Sequence, residues 1–220
     1  MASYVQPMTT MEIEGTGFLA IPTPTAAVQR LYDSDVEHGG FVMNLSALWA
    51  HQPSLHDALF DMIDRAARAA GLTFRQRGIL VVASVATLGD SYCSLAWGKK
   101  LAGVAGADLA GDVLRGDDGR LDPSERALAG WARKVCRHPS STKAADVQPL
   151  RDAGYDDVQI FAITAFIALR VAFAVVNDAL GARPDHELIE TAPAPVRDAV
   201  TYGRPAARRT SVIAGAARPR

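Results

Sequence analysis

The amino-acid sequence predicts an all-α fold. Apolar residues recur at helical spacing in segments that open on capping residues and close on glycine or proline. No segment alternates at period two for long enough to need a strand. Hydrophobic residues make up 49% of 220 positions, enough for one sizeable core.

Residues 1–35, rich in Thr, Pro and Gly, read as a partly extended N-terminal arm with one short helix near Ala26–Tyr32. A helical domain is expected over 36–192. It begins with the apolar segment Phe41–Trp49, which ends at His51-Gln52-Pro53. Ser54 is expected to cap a helix from Leu55 to Ala70, with Leu55, Leu59, Met62, Ile63 and Ala66 at helical spacing and Gly71 closing it. Thr73 and Gln76 form a capping box that opens a mostly apolar helix, Phe74 to Leu88. Gly89-Asp90 breaks it, and Asp90 or Ser91 caps a second helix to about Val104. After a turn at Gly116–Gly119, Asp122-Pro123-Ser124-Glu125 opens a helix carrying Leu128, Trp131 and Val135 as far as His138-Pro139. Thr142 is expected to cap a short helix that stops at Gly154. Asp156 or Tyr155 opens a long one through Leu180, stopped by Gly181. Residues 193–220 turn to Arg, Ala and Pro and read as a tail, its last dozen residues disordered.

A net charge of -1 supplies no global field for nucleic acid or an anionic membrane, so neither is expected as a partner. Only Cys93 and Cys136 are present, which points to a reducing, cytoplasmic setting rather than a disulfide scaffold. Met1–Thr25 has no basic region followed by an apolar run, so no signal peptide is expected. Val158–Val176 is long enough to span a membrane, but it holds Gln159, Thr164 and Arg170. An arginine at mid-span costs roughly 2.5–3.5 kcal/mol. A helix buried within a bundle or between subunits of a homo-oligomer fits better. His38, His51, His56, His138 and His186 are scattered without ligand spacing, and Gly103, Gly106 and Gly111 follow no strand. Neither a metal site nor a phosphate-binding loop is expected, and no cofactor.

The unit RQRGILVVASVATLGDSYCSLAWGKKLA, residues 75–102, resembles the core of the alkylhydroperoxidase-D (AhpD)-like and carboxymuconolactone-decarboxylase family. So do residues 128–185, with their closing VNDALG, and TYGRP at 201–205. The resemblance covers about Gly40 to Pro205. It implies an all-α bundle built on a helix–break–helix core and assembled as trimers or larger rings. Redox members carry Cys-x-x-Cys-x-x-x-His at a helix start and a glutamate on the preceding helix. There the second cysteine attacks a peroxide, the first resolves it, and Glu and His relay protons. In this chain Cys93 takes the attacking position, Asp90 the resolving one, Trp97 that of the histidine and Gly78 that of the glutamate.

The residues that remain support a reduced chemistry. Cys93, in the first turn of its helix, is expected to have its thiolate favoured by free N–H groups and the helix dipole, while an ionised Asp90 opposes it. The alternative is a small core residue. Cys136 lies near a helix end and resolves Cys93 only if the fold brings the two together. Asp90 is a helix cap or an acid/base, and Trp97 a packing residue or a pocket wall. Lys100, seven residues past Cys93, either holds an anionic substrate or is solvated. Arg170, mid-helix among apolar residues, needs a structural acid or a ligand carboxylate. His51 is kept as a pocket candidate because, by resemblance, its loop packs near the family's site. Three functions follow: a one-cysteine, antioxidant-type peroxidase that draws on an external thiol; a non-redox enzyme of the decarboxylase type, moving a proton on a small carboxylated ring; or a ligand-binding oligomer.

Overall fold

The computed structural model describes residues 16–208. Among them there are eleven α-helices and no strand. In chain order they are α1 (Ala26–Gly39), α2 (Asn44–Trp49), α3 (Pro53–Ala69), α4 (Phe74–Leu88), α5 (Ser91–Ala105), α6 (Ala107–Arg115), α7 (Pro123–Arg137), α8 (Ala144–Asp152), α9 (Asp157–Ala179), α10 (His186–Thr191) and α11 (Ala194–Ala199).

Helix α4 is the centre of the bundle. Its run Ile79–Ala83 and Val85 is fully buried, because α5, α6, α7 and α9 pack around it. A helix apolar on every side has this one stable location in a globular bundle. Thr73 starts it as expected: its hydroxyl accepts the Gln76 N–H at 3.2 Å, and the Gln76 side chain accepts the Thr73 N–H at 2.9 Å. Asp122 with Glu125 opens α7, and Asp156 with Gln159 opens α9, by the same reciprocal pair.

Helix α9 has the length and composition to cross a membrane, yet one stripe of it faces protein. Ile160, Ile163, Phe166, Ile167, Arg170, Phe173 and Asn177 are buried against α3, α4 and α7. The opposite stripe, Val158, Phe161, Ala165, Ala168, Ala172 and Val175, recurs with a seven-residue period and is exposed or half-exposed.

Several elements differ from expectation. Helix α1 runs to Gly39, across the boundary expected at residue 35, because Thr25 caps it at the Val28 N–H and Gly40 ends it in the left-handed region. Ser54 is not a cap: α3 begins on Pro53, two residues before the expected start at Leu55, and the fixed φ of proline suits the first helical position. Thr142 does not cap α8. Its hydroxyl donates to the Pro139 carbonyl at 2.9 Å within a 3-10 turn over Pro139–Ser141, and Asp146 accepts the Lys143 N–H instead.

Helices α6, α10 and α11 were not anticipated. The tail expected from residue 193 is, as far as 208, part of the packed structure. Glycine makes this possible. A Cβ on Gly111 would stand 2.6 Å from the Pro195 carbonyl oxygen, and one on Gly98 would stand 2.7 Å from Val196 Cγ1. The missing side chains on α5 and α6 are the seat of α11. Residues 1–15, expected as part of a partly extended arm, and the last dozen residues, expected to be disordered, lie outside the described residues.

Candidate functional site

The site forms where α5 begins against the middle of α9. Gly89 adopts φ +78 to end α4, and Asp90 turns the chain into α5. The Asp90 Oδ1 accepts the Cys93 N–H at 2.9 Å. Its Oδ2 is buried and lacks a partner of normal hydrogen-bond geometry. The Cys93 thiol lies against this carboxylate and is itself 2% exposed.

The helix-dipole expectation for Cys93 is overturned. The thiol is held well above its ordinary pKa, first by burial and then by the charge of Asp90, against which Arg170 pulls it down. The N–H that would have favoured a thiolate already serves the Asp90 cap. Burial also pushes the Asp90 carboxyl up, while its bonds to Cys93 and Tyr92 and the charge of Arg170 hold it down.

Arg170 is 3% exposed and has no carboxylate within ion-pair distance among the described residues. The structural acid that its burial suggested is not there as a contact. Its guanidinium instead stands 5.0 Å from the centre of the Trp97 ring, 5.3 Å from Phe173 and 6.0 Å from Phe60. Its Nε is buried without an acceptor. Burial lowers its pKa, and the charges of Cys93 and Asp90 oppose that. The Trp97 indole is half-buried and stacks on Phe74 at 5.9 Å. Lys100, an exposed residue, carries its Nζ to 5.1 Å from the same indole. Desolvation of the ammonium and the charge of Arg170 lower its pKa.

Cys93, Asp90, Trp97, Lys100 and Arg170 are thus brought together. His51 is not: it is exposed in the loop after α2. The histidine that reaches the cluster is His56, in the first turn of α3. Its ring lies 4.5 Å from Phe60 and 5.9 Å from Trp49. Residue spacing relative to Phe60 (i, i+4) carried that signal. Asn177 of α9 bounds the same region. Its Oδ1 accepts the Trp49 indole N–H at 2.8 Å, while its Nδ2 is buried and unpartnered. Arg170, Phe173 and Asn177 make one stripe of α9, spaced i, i+3 and i+7.

Gly78, at the position that resembles the family glutamate, faces Leu101 of α5, and a Cβ there would meet Leu101 Cδ1 at 3.1 Å. That space is filled by close approach of two helices. Cys136, on α7, is half-buried and interacts with Ser84 of α4.

Residues after α11 cover the start of α5. The Tyr202 hydroxyl meets Ser94 Oγ at 3.0 Å, Ser91 Oγ donates to the Arg204 carbonyl at 2.7 Å, and the Arg204 guanidinium donates to the Asp178 carbonyl at 3.1 Å. A Cβ on Gly203 would collide with the Gly89 carbonyl at 2.5 Å, so this segment lies directly on the break before Asp90.

No protein-family model matches the chain, and no curated protein matches it by sequence. Solved structures do. The alkylhydroperoxidase AhpD core of a peroxidase-related protein from Ralstonia eutropha JMP134 superposes with a TM-score of 0.70 at 26% identity, over 79% of this chain and 94% of that one. The chain is AhpD-like. A peroxidase-related protein from Silicibacter sp. TM1040 gives 0.68 at 20% identity, over 83% of this chain and 97% of that one. The debrominase Bmp8, in complex with 2,3,4-tribromopyrrole, gives 0.67 at 14% identity, over 81% and 97%. The last two share the fold. Within this AhpD-like frame the helix–break–helix unit α4–α5 holds the thiol, as the resemblance implied.

Proposed function

We propose that this AhpD-like protein reduces a small hydroperoxide through Cys93, with Asp90 as the proton acceptor and an external thiol as the reductant. The observation that carries this is the Cys93 thiol lying against the buried Asp90 carboxylate beneath the Arg170 guanidinium. At rest the sulfur keeps its proton. When a hydroperoxide arrives, the proton passes to Asp90, whose raised pKa makes it a better base than a solvated carboxylate. The sulfur attacks the terminal peroxide oxygen, an S–O bond forms and the O–O bond breaks. The alkoxide leaves as the alcohol with the proton from Asp90. Cys93 is then a sulfenic acid. One external thiol condenses with it to a mixed disulfide and water, and a second releases the Cys93 thiol and an external disulfide. Arg170 supports the first step by stabilising negative charge on sulfur.

No cysteine occupies the resolving position, so the cycle depends on the added thiol. Turnover is expected to be slow, because the thiolate population is small. The test is consumption of cumene hydroperoxide with and without dithiothreitol. Activity is expected only with the thiol, and none in Cys93→Ser, with a dimedone adduct on Cys93 when the thiol is left out. Unchanged activity in Cys93→Ser would remove the redox reading. The unpartnered Asp90 Oδ2 would then favour a decarboxylase-type proton transfer.

A further inference from the structure

Two cations stand on one indole, and among the described residues neither has a carboxylate within ion-pair distance. Arg170 and Lys100 lie 5.0 Å and 5.1 Å from the centre of the Trp97 ring. Neither forms an ion pair or a hydrogen bond to an acid among the described residues. They repel each other, and burial first and the charge of Arg170 second lower the pKa of Lys100. Arg170 is almost wholly buried and its Nε donor is unused. Contact with aromatic faces offsets only part of the hydration that a buried cation loses. Asp35 of α1, the acid that acts on Lys100 at longer range, already accepts the Met43 N–H at 2.9 Å. Asp90 acts on Arg170 from the thiol side. Among the described residues no carboxylate pairs with either cation.

We propose that Arg170 and Lys100 receive the carboxylate of a small anionic substrate beside Trp97. This rests on the Cys93 chemistry proposed above and names the substrate class for it: a carboxylate-bearing organic hydroperoxide. Helix α5 sets the scale. Lys100 lies seven residues, two turns or about 10 Å, beyond Cys93 on the same face, with Trp97 between them. A molecule with its carboxylate at the Lys100 end and its peroxide at the Cys93 end carries about that separation. The aromatic surfaces of Trp97, Phe60 and Phe173 suit a flat apolar body.

Benzoate and benzamide, which share a ring and differ in charge, are the probes. Each is titrated into the full-length protein and followed by tryptophan fluorescence and by the rise in Tm. Benzoate is expected to bind saturably, at least tenfold tighter than benzamide, with affinity that falls as salt rises. Lys100→Glu is expected to weaken benzoate binding at least tenfold, whereas Lys100→Arg keeps it within about threefold. Arg170→Met is expected to abolish the preference for benzoate. If that variant does not fold, the Lys100 pair decides the matter. Cys93→Ser is expected to bind benzoate like the parent, since no thiol chemistry is involved. Equal affinity for the two probes, or unchanged benzoate affinity in Lys100→Glu, would overturn the anion site. That outcome would leave thiol-dependent peroxide consumption standing, and loss of the latter would leave benzoate binding standing.

Discussion

Substituting Gly111 by alanine tests whether the C-terminal part of the chain is seated as described. Alanine in the middle of a helix is normally favoured over glycine by about 1 kcal/mol. At Gly103 and Gly130, exposed and helical with no atom within 4 Å of an added Cβ, that gain is expected in full. At Gly111 the new Cβ would sit 2.6 Å from the Pro195 carbonyl oxygen and 3.0 Å from its carbon. These are backbone atoms of the first turn of α11, and they cannot rotate away. Overpacking of this kind costs about 1–3 kcal/mol. The net change is about 0–2 kcal/mol of destabilisation, opposite in sign to the two controls. A domain of this size shifts by roughly 2–4 °C per kcal/mol. Thermal unfolding followed by circular dichroism should therefore place Gly111→Ala below Gly103→Ala and Gly130→Ala by several degrees. Because α11 leads into Tyr202 and Arg204, alkylation of Cys93 should also quicken in Gly111→Ala. A Gly111→Ala variant as stable as the controls would mean that α11 does not rest on α6.

Other perturbations follow from the buried groups. Asp185, buried beside the Tyr92 hydroxyl and the Asn44 N–H, has its pKa raised to about 6 by burial. The folded state then holds its proton more tightly than the unfolded one, so this group's contribution is fully present below about pH 4. It declines as pH rises through about 6. Thermal scans across that range should show a smaller decline in Asp185→Asn, and an identical slope would exclude Asp185 as its source. Gly78→Glu, the change that would restore the family glutamate, is expected to destabilise the fold and not to create a relay, since its side chain enters the contact with Leu101; a variant with unchanged Tm and higher peroxidase activity would contradict this. Mild oxidation is expected to give no Cys93–Cys136 disulfide, read by intact mass after blocking free thiols. The heptad-spaced stripe of α9 is expected to be covered by a second copy of the chain. Sedimentation should give a homo-oligomer, a trimer or a multiple of one, that Phe161→Glu dissociates; a monomeric parent would refute it.

What the sequence determined by itself was local. The caps at Thr73 and Asp122, the break at Gly89-Asp90 and the stop at Gly181 act within a few residues and could be read directly, whereas the start of α9 was left between Tyr155 and Asp156 and the caps expected at Ser54 and Thr142 fell elsewhere. The thiol, its neighbouring carboxylate and the odd arginine of α9 were visible for the same reason: each is an unusual residue in an apolar or capping context. The tertiary structure decided everything that depends on what comes across from another helix. Helix α11 rests on α5 and α6 because Gly98 and Gly111 leave room for Val196 and Pro195, and a missing side chain shows its use only against its neighbour. His56 reaches the aromatic cluster and His51 does not, a choice made by the packing of α3 on α9. The ionisation of Cys93 reversed for the same cause. A helix N-terminus favours a thiolate locally, but the assembled core buries the thiol against the Asp90 carboxylate, and burial first and that charge second raise its pKa.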